Sequence, residues 1–289
     1  MIYCYPLFSK IDLLCFRIGG PGLGNLLFPW ARAIILAEEN GYRNIAPNWT
    51  QFKIGPLLRK ENDIRSYSQI FKNNPNDLIG FNRLKALINN RRIPENLIGN
   101  VDLRAGDIII TEGMGTMFSD ILKYHNLIYS KLLSIYKNQQ FDNLIMKFDV
   151  HNSIAVHIRF GDFKKSKNLN DINTRQPIEW YVDAILAVRK KLNFDIRVNI
   201  FSDANDIEIG KVLALPSVFR IVGNNALDDI FLISKHRLLI ASGSTFSMWA
   251  SFLGQVPTIW FPGKKIQNLL EDSNLEVEYE FGKTLLLNI

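Results

Sequence analysis

The sequence predicts an α/β protein whose parallel sheets are flanked by helices, arranged in two domains. Its 289 residues exceed what one hydrophobic core usually organises. From about residue 153 onward, short apolar runs alternate with helical patterns, which is typical of parallel sheets covered on both faces. We therefore expect domains at residues 1–150 and 151–289, with a single larger domain as the alternative. Hydrophobic residues make up 47% of the chain, enough to bury a large core.

The N-terminal part begins with a predicted strand and helix. The run from Ile11 to Ile18 is apolar except at Asp12 and Arg17, and it predicts a buried first strand. After a glycine-rich segment, apolar positions recur at helical spacing from Asn25 to Asn40. Gly41 ends this helix, and Pro29 is expected in its first turn, where proline is tolerated.

The rest of the chain is predicted from the same patterns. Residues 51–107 favour loops and short helices, with one helix at 81–88, followed by a strand at 107–111, a helix at 121–136 and a linker at 141–152. Beyond the linker we expect strands at 153–159, 197–202, 218–222, 238–241 and 257–260, and helices at 177–192, after 206, at 226–234 and at 245–253. In open parallel sheets, ligands bind beyond the carboxyl ends of the strands, so the residues that follow each strand are the candidates for a site.

Charge and cysteine content narrow the class. A net charge of +6 favours anionic partners such as nucleotides, nucleic acid or an acidic membrane face. Basic residues are scattered without an aromatic-interleaved repeat, which disfavours nucleic acid. The two cysteines, Cys4 and Cys15, provide neither a disulfide framework nor a CxxC site. The N-terminal apolar residues are interrupted by charges, so we expect a cytoplasmic protein.

Two glycine- or serine-rich turns are candidate anion sites. Gly22, Gly24 and Asn25 belong to a loop that lets backbone amides approach an anion at a helix N-terminus. A dinucleotide-binding GxGxxG would need glycine where Asn25 stands, so a dinucleotide-dependent oxidoreductase and a purely structural turn remain alternatives. The segment from Ser242 to Phe246 closes a strand and opens a helix; Ser244 or Thr245 is its expected N-cap, with or without a ligand.

The segment from His157 to Asp162 is the strongest candidate for phosphate binding. His157 and Arg159 alternate along a strand end and share one face. Arginine makes permanently charged, bidentate contacts to phosphate oxygens. The structural alternative pairs Arg159 with Asp162, which is also a candidate base. No histidine, cysteine or carboxylate cluster has metal-ligand spacing, and DxD is absent, so we expect no metal.

Taken together, four segments resemble the family 11 glycosyltransferases, the bacterial-type α-1,2-fucosyltransferases. The segment from Gly22 to Phe28 is similar to that family's GLGNQMF, and His157 to Asp162 to its HxRRGD. Phe201 to Asp203 is similar to FSDD, and the segment ending at Trp249 to NSTFSWW. The chain departs from these patterns at Pro21, Phe160, Ala204, Gly243 and Met248.

The resemblance implies two Rossmann-like domains facing a cleft, in a GT-B-like fold, with the N-terminal domain on the acceptor side and the C-terminal domain binding the donor. It implies metal-free transfer with inversion from GDP-fucose to a galactoside or another glycan, including lipid-linked oligosaccharides of surface polysaccharides. Arg159 would neutralise the departing β-phosphate. His157, Asn25 and the Ser244, Thr245 and Phe246 turn would contact the donor's nucleoside, sugar or diphosphate, and Asp203 and Asp229 its base or ribose. A catalytically inactive glycan- or nucleotide-binding relative remains an alternative, and the positive charge suggests peripheral contact with an anionic membrane.

Overall fold

The computed structural model describes residues 1–12, 16–52, 66–137, 141–161, 163, 174–223 and 225–287. The chain divides into two compact units, Met1–Asn138 and Gln139–Ile289. The division lies before the predicted one at residue 150, because residues 141–152 are not a linker. They form a helix at Phe141–Lys147 and a 3₁₀ turn at Val150–Asn152. The ring of Phe141 packs on that of Phe231 in the second unit.

The first unit contains two sheets and three described helices. Strands β1 (Tyr3–Leu7), β4 (Arg43–Asn44), β6 (Arg92–Pro94) and β7 (Ile108–Glu112) form a parallel sheet in the order β4-β1-β7-β6. Strands β2 (Ile11–Asp12), β3 (Arg17–Ile18) and β5 (Gln51–Phe52) form a second, small sheet. The helices are α1 (Leu23–Asn40), α2 (Gly80–Asn89) and α3 (His125–Ile135). The predicted helices at 25–40 and 81–88 and the strand at 107–111 are confirmed within a few residues.

Two details of the N-terminal prediction are wrong. The first buried strand is Tyr3–Leu7, whereas Ile11 and Ile18 are 49% and 41% exposed on the short β2 and β3 strands. This strand contains Pro6, which lies beyond the two residues at which β1 pairs with β4, so its missing N–H costs no hydrogen bond there. Helix α1 begins at Leu23, which places Pro29 in its second turn.

Alternating side chains of β1 and β7 cover the sheet of the first unit on both faces. Tyr5, Ile108 and Ile110 pack with residues of α2 on one face. Cys4 and Ile109 pack with alanines of α1 on the other. This division follows from the two-residue period of a strand, and burial of the two central strands on both faces is typical of a parallel sheet.

The second unit has one six-stranded parallel sheet in the order β10-β9-β8-β11-β12-β13. The strands are β8 (Ser153–Ile158), β9 (Arg197–Ser202), β10 (Val218–Arg220), β11 (Leu239–Ala241), β12 (Thr258–Trp260) and β13 (Glu276–Glu278). The helices are α4 (Phe141–Lys147), α5 (Ile178–Leu192), α6 (Gly210–Leu213), α7 (Ala226–Ile233) and α8 (Thr245–Gly254). The predicted alternation is confirmed, with a further strand, β13, near the C-terminal end.

The two faces of this second sheet differ in character. Ile154, Val156 and Ile158 of β8 join an apolar cluster with Trp180 and Ile185 of α5. The alternate residues of β8 face the side on which α7 and α8 pack against each other. No helix among the described residues is both long and apolar enough to cross a membrane.

Candidate active site

The strand order of the second unit creates a crevice at its centre. From β8 the chain proceeds outward through β9 to β10, then returns to the other side of β8 at β11 and proceeds through β12 to β13. Ligands of such sheets bind at this reversal, beyond the carboxyl ends of the two central strands. His157 and Arg159 lie at the end of β8, and the turn from Ser242 to Ser247 follows β11. The fold therefore brings two of the predicted segments together.

His157 is buried in a cluster of hydroxyl groups. Its Nδ1 lies 2.6 Å from Oγ of Ser247 and 3.0 Å from Oγ of Ser242, and these two hydroxyls lie 3.0 Å apart. The ring stacks on Phe246, with centroids 4.9 Å apart. Ser247 is a site residue that sequence reasoning missed, although its three-residue spacing from Ser244 in one helical turn is a usable signal.

Burial decides the charge of this histidine. Desolvation lowers the pKa of His157 to about 4; the carboxylate of Asp203 opposes this shift and the cation of Arg159 adds to it. The imidazole is therefore neutral at pH 7, and it offers a hydrogen-bonding nitrogen without adding positive charge to the site.

Arg159 forms an ion pair with Asp203. Asp162, the partner considered in the sequence analysis, lies outside the described residues. The Nη1 atom of Arg159 lies 2.6 Å from Oδ2 of Asp203, and both side chains are about 30% exposed, at 31% and 29%. The other carboxylate oxygen accepts a 2.8 Å hydrogen bond from the backbone N–H of Phe160. A Cβ atom on Gly161 would clash with Oδ2 of Asp203, so glycine permits this close approach. Asp203 thus fixes the direction of the guanidinium.

A second arginine, Arg175, supports the same loop and carried no sequence signal. Its guanidinium lies over the ring of Phe160, 5.0 Å from the centroid. Nε donates to the carbonyl of Phe163 at 2.9 Å, and Nη1 donates to Glu208 at 2.8 Å. Glu208 also accepts from the N–H of Asn205 at 3.1 Å. Arg175 therefore joins the loop that carries Arg159 to the loop that carries Asp203.

The turn after β11 caps helix α8. Ser244 is the N-cap, as expected, and its Oγ accepts from the N–H of Ser247 at 3.4 Å. Thr245 and Phe246 are the first two residues of α8, and the helix dipole favours an anion at this end. Gly243 has a φ of +68°, and a Cβ there would lie 2.8 Å from Cβ of Lys264, so a larger residue is excluded.

Asp229 lies in the first turn of α7. Its Oδ1 accepts from the N–H of Gly223 at 3.0 Å, which closes the loop after β10 onto the helix. Desolvation raises the pKa of this carboxyl to about 7, against the effect of the Gly223 hydrogen bond. Its predicted contact with the donor's base or ribose stays a prediction.

The departures at Phe160 and Ala204 have a structural explanation. Both side chains are buried in the apolar cluster of the second unit, at 7% and 3% exposure. They therefore contribute to the core beneath α5, whereas His157 faces the hydroxyl cluster on the other side of the sheet.

The predicted glycine loop belongs to the first unit. Gly20 has a φ of +109°, and a Cβ there would lie 2.6 Å from Nη1 of the buried Arg17, so its role is structural. Gly22 is the N-cap of α1, Gly24 is buried, and Asn25 lies in the first turn. The N–H of Leu23 donates to the hydroxyl of Tyr67 at 3.0 Å. The approach of Gly22, Gly24 and Asn25 to a donor stays a prediction.

His236 has a structural role. Its Nδ1 lies 2.8 Å from the carbonyl of Leu232, and its Nε2 lies 3.0 Å from the amide nitrogen of Asn199. Among the residues that the structure describes, no group of three His, Cys, Asp or Glu side chains is placed to hold a metal ion. Metal-free activity stays a prediction.

The sequence of this chain matches a known protein family. A family model described as Glycosyl transferase family 11 matches residues 117–277, more than half of the chain. The alpha-1,2-colitosyltransferase of Escherichia coli is 28% identical over 130 residues, covering 40% of this chain and 44% of that protein. The O-antigen biosynthesis glycosyltransferase WbnK of Escherichia coli is 26% identical over 134 residues, covering 42% and 43%. The chain thus aligns with less than half the length of these relatives.

Solved structures share the fold over nearly the whole chain. NodZ alpha-1,6-fucosyltransferase soaked with GDP-fucose matches with a TM-score of 0.55 at 17% identity, covering 90% of this chain and 94% of that one. POFUT1 in complex with GDP matches with a TM-score of 0.51 at 12% identity, covering 90% and 98%. These likenesses and the two helix-flanked parallel sheets confirm the predicted α/β fold class. With more than half of its length matched by the family model, the chain belongs to glycosyltransferase family 11.

Proposed function

We propose that this chain transfers a sugar from a nucleotide donor to a glycan hydroxyl with inversion, and that the reaction is α-1,2 transfer of L-fucose from GDP-fucose. Family membership supports glycosyl transfer. The names of the two relatives support an α-1,2 linkage and a role in surface polysaccharide synthesis. The GDP-fucose and GDP of the NodZ and POFUT1 structures support the donor. Lipid-linked acceptors and peripheral membrane contact remain predictions.

One observation carries the proposal: the crevice between β8 and β11 combines a fixed cation with the N-terminus of α8. As the donor's C1–O bond breaks, its electron pair moves to the diphosphate oxygen. Arg159 stabilises that developing charge, and the first-turn N–H groups of α8 at Thr245 and Phe246 bind the phosphate oxygens. A guanidinium has five N–H donors, so Arg159 keeps its bond to Asp203 while it binds phosphate.

The remaining residues orient the donor and the acceptor. Burial holds His157 neutral, and its hydroxyl partners fix the orientation of the ring. The imidazole can then donate a hydrogen bond to the nucleotide sugar without adding a second positive charge beside Arg159. The acceptor hydroxyl forms the new bond to C1 from the opposite face and loses its proton, with Asp162 as the base predicted from the sequence. Asn25 and Asp229 are proposed donor contacts. The products are the extended glycan and GDP.

The test is release of the nucleoside diphosphate, GDP or UDP, from a set of donors by the full chain, with and without a glycan acceptor. GDP-fucose, the GDP derivative of colitose, GDP-mannose and UDP-galactose separate the donor classes. Arg159→Ala should lower GDP release from the active donor on the order of a hundredfold or more, because the charge of the leaving group loses its main partner. Thermal unfolding should change little, since solvent screens this partly exposed ion pair and such pairs contribute only about 1 kcal/mol.

Arg197→Ala is the matched control. Arg197 begins β9 at the amino-terminal edge of the same sheet, where its guanidinium lies 4.2 Å from the ring centroid of Phe219. Its loss should leave GDP release within a few-fold of the wild-type rate. Absence of turnover with every donor, or an Arg159→Ala variant as active as the control, would overturn the proposed function. Donor binding without turnover would favour the inactive, ligand-binding alternative.

A further inference from the structure

The turn after β12 brings a lysine stem across the N-terminal end of helix α8. A Cβ atom built on Gly243 would lie 2.8 Å from Cβ, 3.2 Å from Cγ and 3.5 Å from Cδ of Lys264. Three successive carbons of this half-buried side chain therefore lie along Gly243, the residue before the N-cap Ser244. Because β12 runs parallel to β8, the turn is at the same edge of the sheet as Arg159.

The backbone that carries Lys264 is held by the neighbouring strand. Oε1 of Glu278, the last residue of β13, accepts from the N–H of Gly263 at 2.9 Å and from the N–H of Lys265 at 3.1 Å. The chain is therefore fixed on both sides of Lys264, which directs the start of its side chain across Gly243. Ligand binding would need to order only the end of that side chain, which limits the entropic cost.

The residue at position 243 makes room for this stem. Gly243 has a φ of +68°, a conformation that asparagine also adopts, and the family 11 pattern has asparagine there. The turn alone therefore does not require glycine, whereas the close approach of Lys264 does. The same pattern has a second arginine where this chain has Phe160. The chain thus lacks one cation after β8 and has room for another after β11, the adjacent strand.

The charges already placed in the crevice do not balance a diphosphate, which carries two negative charges in a nucleotide sugar. Arg159 is paired with Asp203, so the two side chains together have no net charge. Burial lowers the pKa of His157 to about 4, so this ring is neutral at pH 7. The N-terminus of α8 contributes only about half a positive charge. A lysine beside this positive end of the helix is unfavourable by itself, and a bound anion reverses that effect.

We propose that Lys264 is a second cation of the donor site, and that its ammonium group binds the diphosphate together with Arg159 and the N-terminus of α8. This inference rests on the proposed function. As the C1–O bond breaks, the electron pair moves to the diphosphate oxygen, and Lys264 shares the stabilisation of that charge with Arg159. An ammonium group acts on phosphate as a point charge, so it needs no bidentate geometry.

Calorimetric titration with GDP and with UDP tests this role without requiring turnover. Lys264→Met keeps an apolar stem over Gly243 and removes the charge, so it should weaken binding of the preferred diphosphate about tenfold. Lys264→Arg should keep most of the affinity. Lys265→Met is the matched control, because Nζ of this adjacent lysine donates to the carbonyl of Glu276 at 3.0 Å. Its affinity should equal that of the wild type.

Salt dependence separates a direct phosphate contact from a structural role of the lysine. Rising NaCl concentration should weaken binding more steeply in the wild type than in Lys264→Met, because salt screens the contact that the variant has lost. Thermal unfolding without nucleotide should be the same in the wild type and both methionine variants. A Lys264→Met affinity equal to that of Lys265→Met, or an unchanged salt dependence, would overturn the proposed contact.

Failure of this proposal and failure of the proposed function are distinguishable. Nucleotide binding and sugar transfer that are both unaffected by Lys264→Met would exclude the lysine and leave the transferase standing. Lys264-dependent binding with no release of nucleoside diphosphate from any donor would overturn the transferase and still support the phosphate contact. A wild-type chain that binds neither GDP nor UDP would overturn both. In an active enzyme, Lys264→Met should lower kcat/KM about tenfold, less than Arg159→Ala, because the guanidinium remains.

Discussion

Replacing His157 with Gln should destabilise the protein at pH 7 and much less at pH 5. At pH 7 the variant loses the contacts of a buried ring to Ser242 and Ser247, which costs about 1–3 kcal/mol. At pH 5 the wild type has a penalty of its own. The histidine of the unfolded chain, with a pKa of 6.5, is protonated, while burial keeps the folded one, with a pKa of about 4, largely neutral.

The sign follows from proton uptake. Between pH 6.5 and pH 4 the unfolded chain binds more protons at this position than the folded protein, so the wild type loses stability as the pH falls. The loss is about 2 kcal/mol at pH 5 relative to pH 7, and the glutamine variant does not share it. Other groups, including Asp229 with its raised pKa, titrate in both proteins and cancel in the difference.

The assay is urea unfolding at the two pH values, followed by tryptophan fluorescence. Three buried tryptophans of the second unit, Trp180, Trp249 and Trp260, report on the region around the site. Ser251→Ala is the control, since it removes a buried hydroxyl that pairs with Thr258 at 2.9 Å and has no titrating group. Its effect should be the same at both pH values. A His157→Gln effect that is also independent of pH would refute a buried, neutral imidazole.

Two further predictions concern the loop after β8 and the source of positive charge. Arg175→Lys should weaken GDP binding about fivefold, nearly as much as Arg175→Leu. An ammonium group keeps the positive charge, but it cannot stack on Phe160 while donating to both Phe163 and Glu208. Calorimetric titration with GDP measures the affinity, and full affinity in the lysine variant would contradict the prediction. Excess chelator should leave the transfer rate unchanged, because Arg159 and the N-terminus of α8 are proposed to supply the charge that a metal supplies elsewhere. A chelator-induced loss that manganese restores would disprove metal-free transfer.

Local pattern was sufficient for most elements of the second unit. The strand Arg197–Ser202 has the predicted bounds, and helices α5, α7 and α8 begin and end within one residue of prediction. These elements have strong periodicity and clear turn residues at their ends, so neighbouring residues along the chain carry the information.

Where tertiary contacts decide, the local pattern was misleading. Tyr3–Leu7 contains a proline that argues against a central strand, and only its pairing with β4 and β7 shows that the missing N–H is harmless. The segment Phe141–Lys147 looked like a linker, yet it forms a helix whose Phe141 packs on Phe231. Phe160 and Ala204 looked like losses from a polar motif, and the structure places them in the apolar core.

The sequence by itself predicted an α/β protein, with two domains as the expected division, and it identified His157, Arg159 and the Ser244 turn as separate candidates at strand ends. Only the tertiary structure decided that they form one site. His157 and Ser247 are 90 residues apart in the chain, and they meet because β11 pairs with β8 after the chain has passed through β9 and β10. Strand order depends on long-range pairing and packing, which no local spacing encodes.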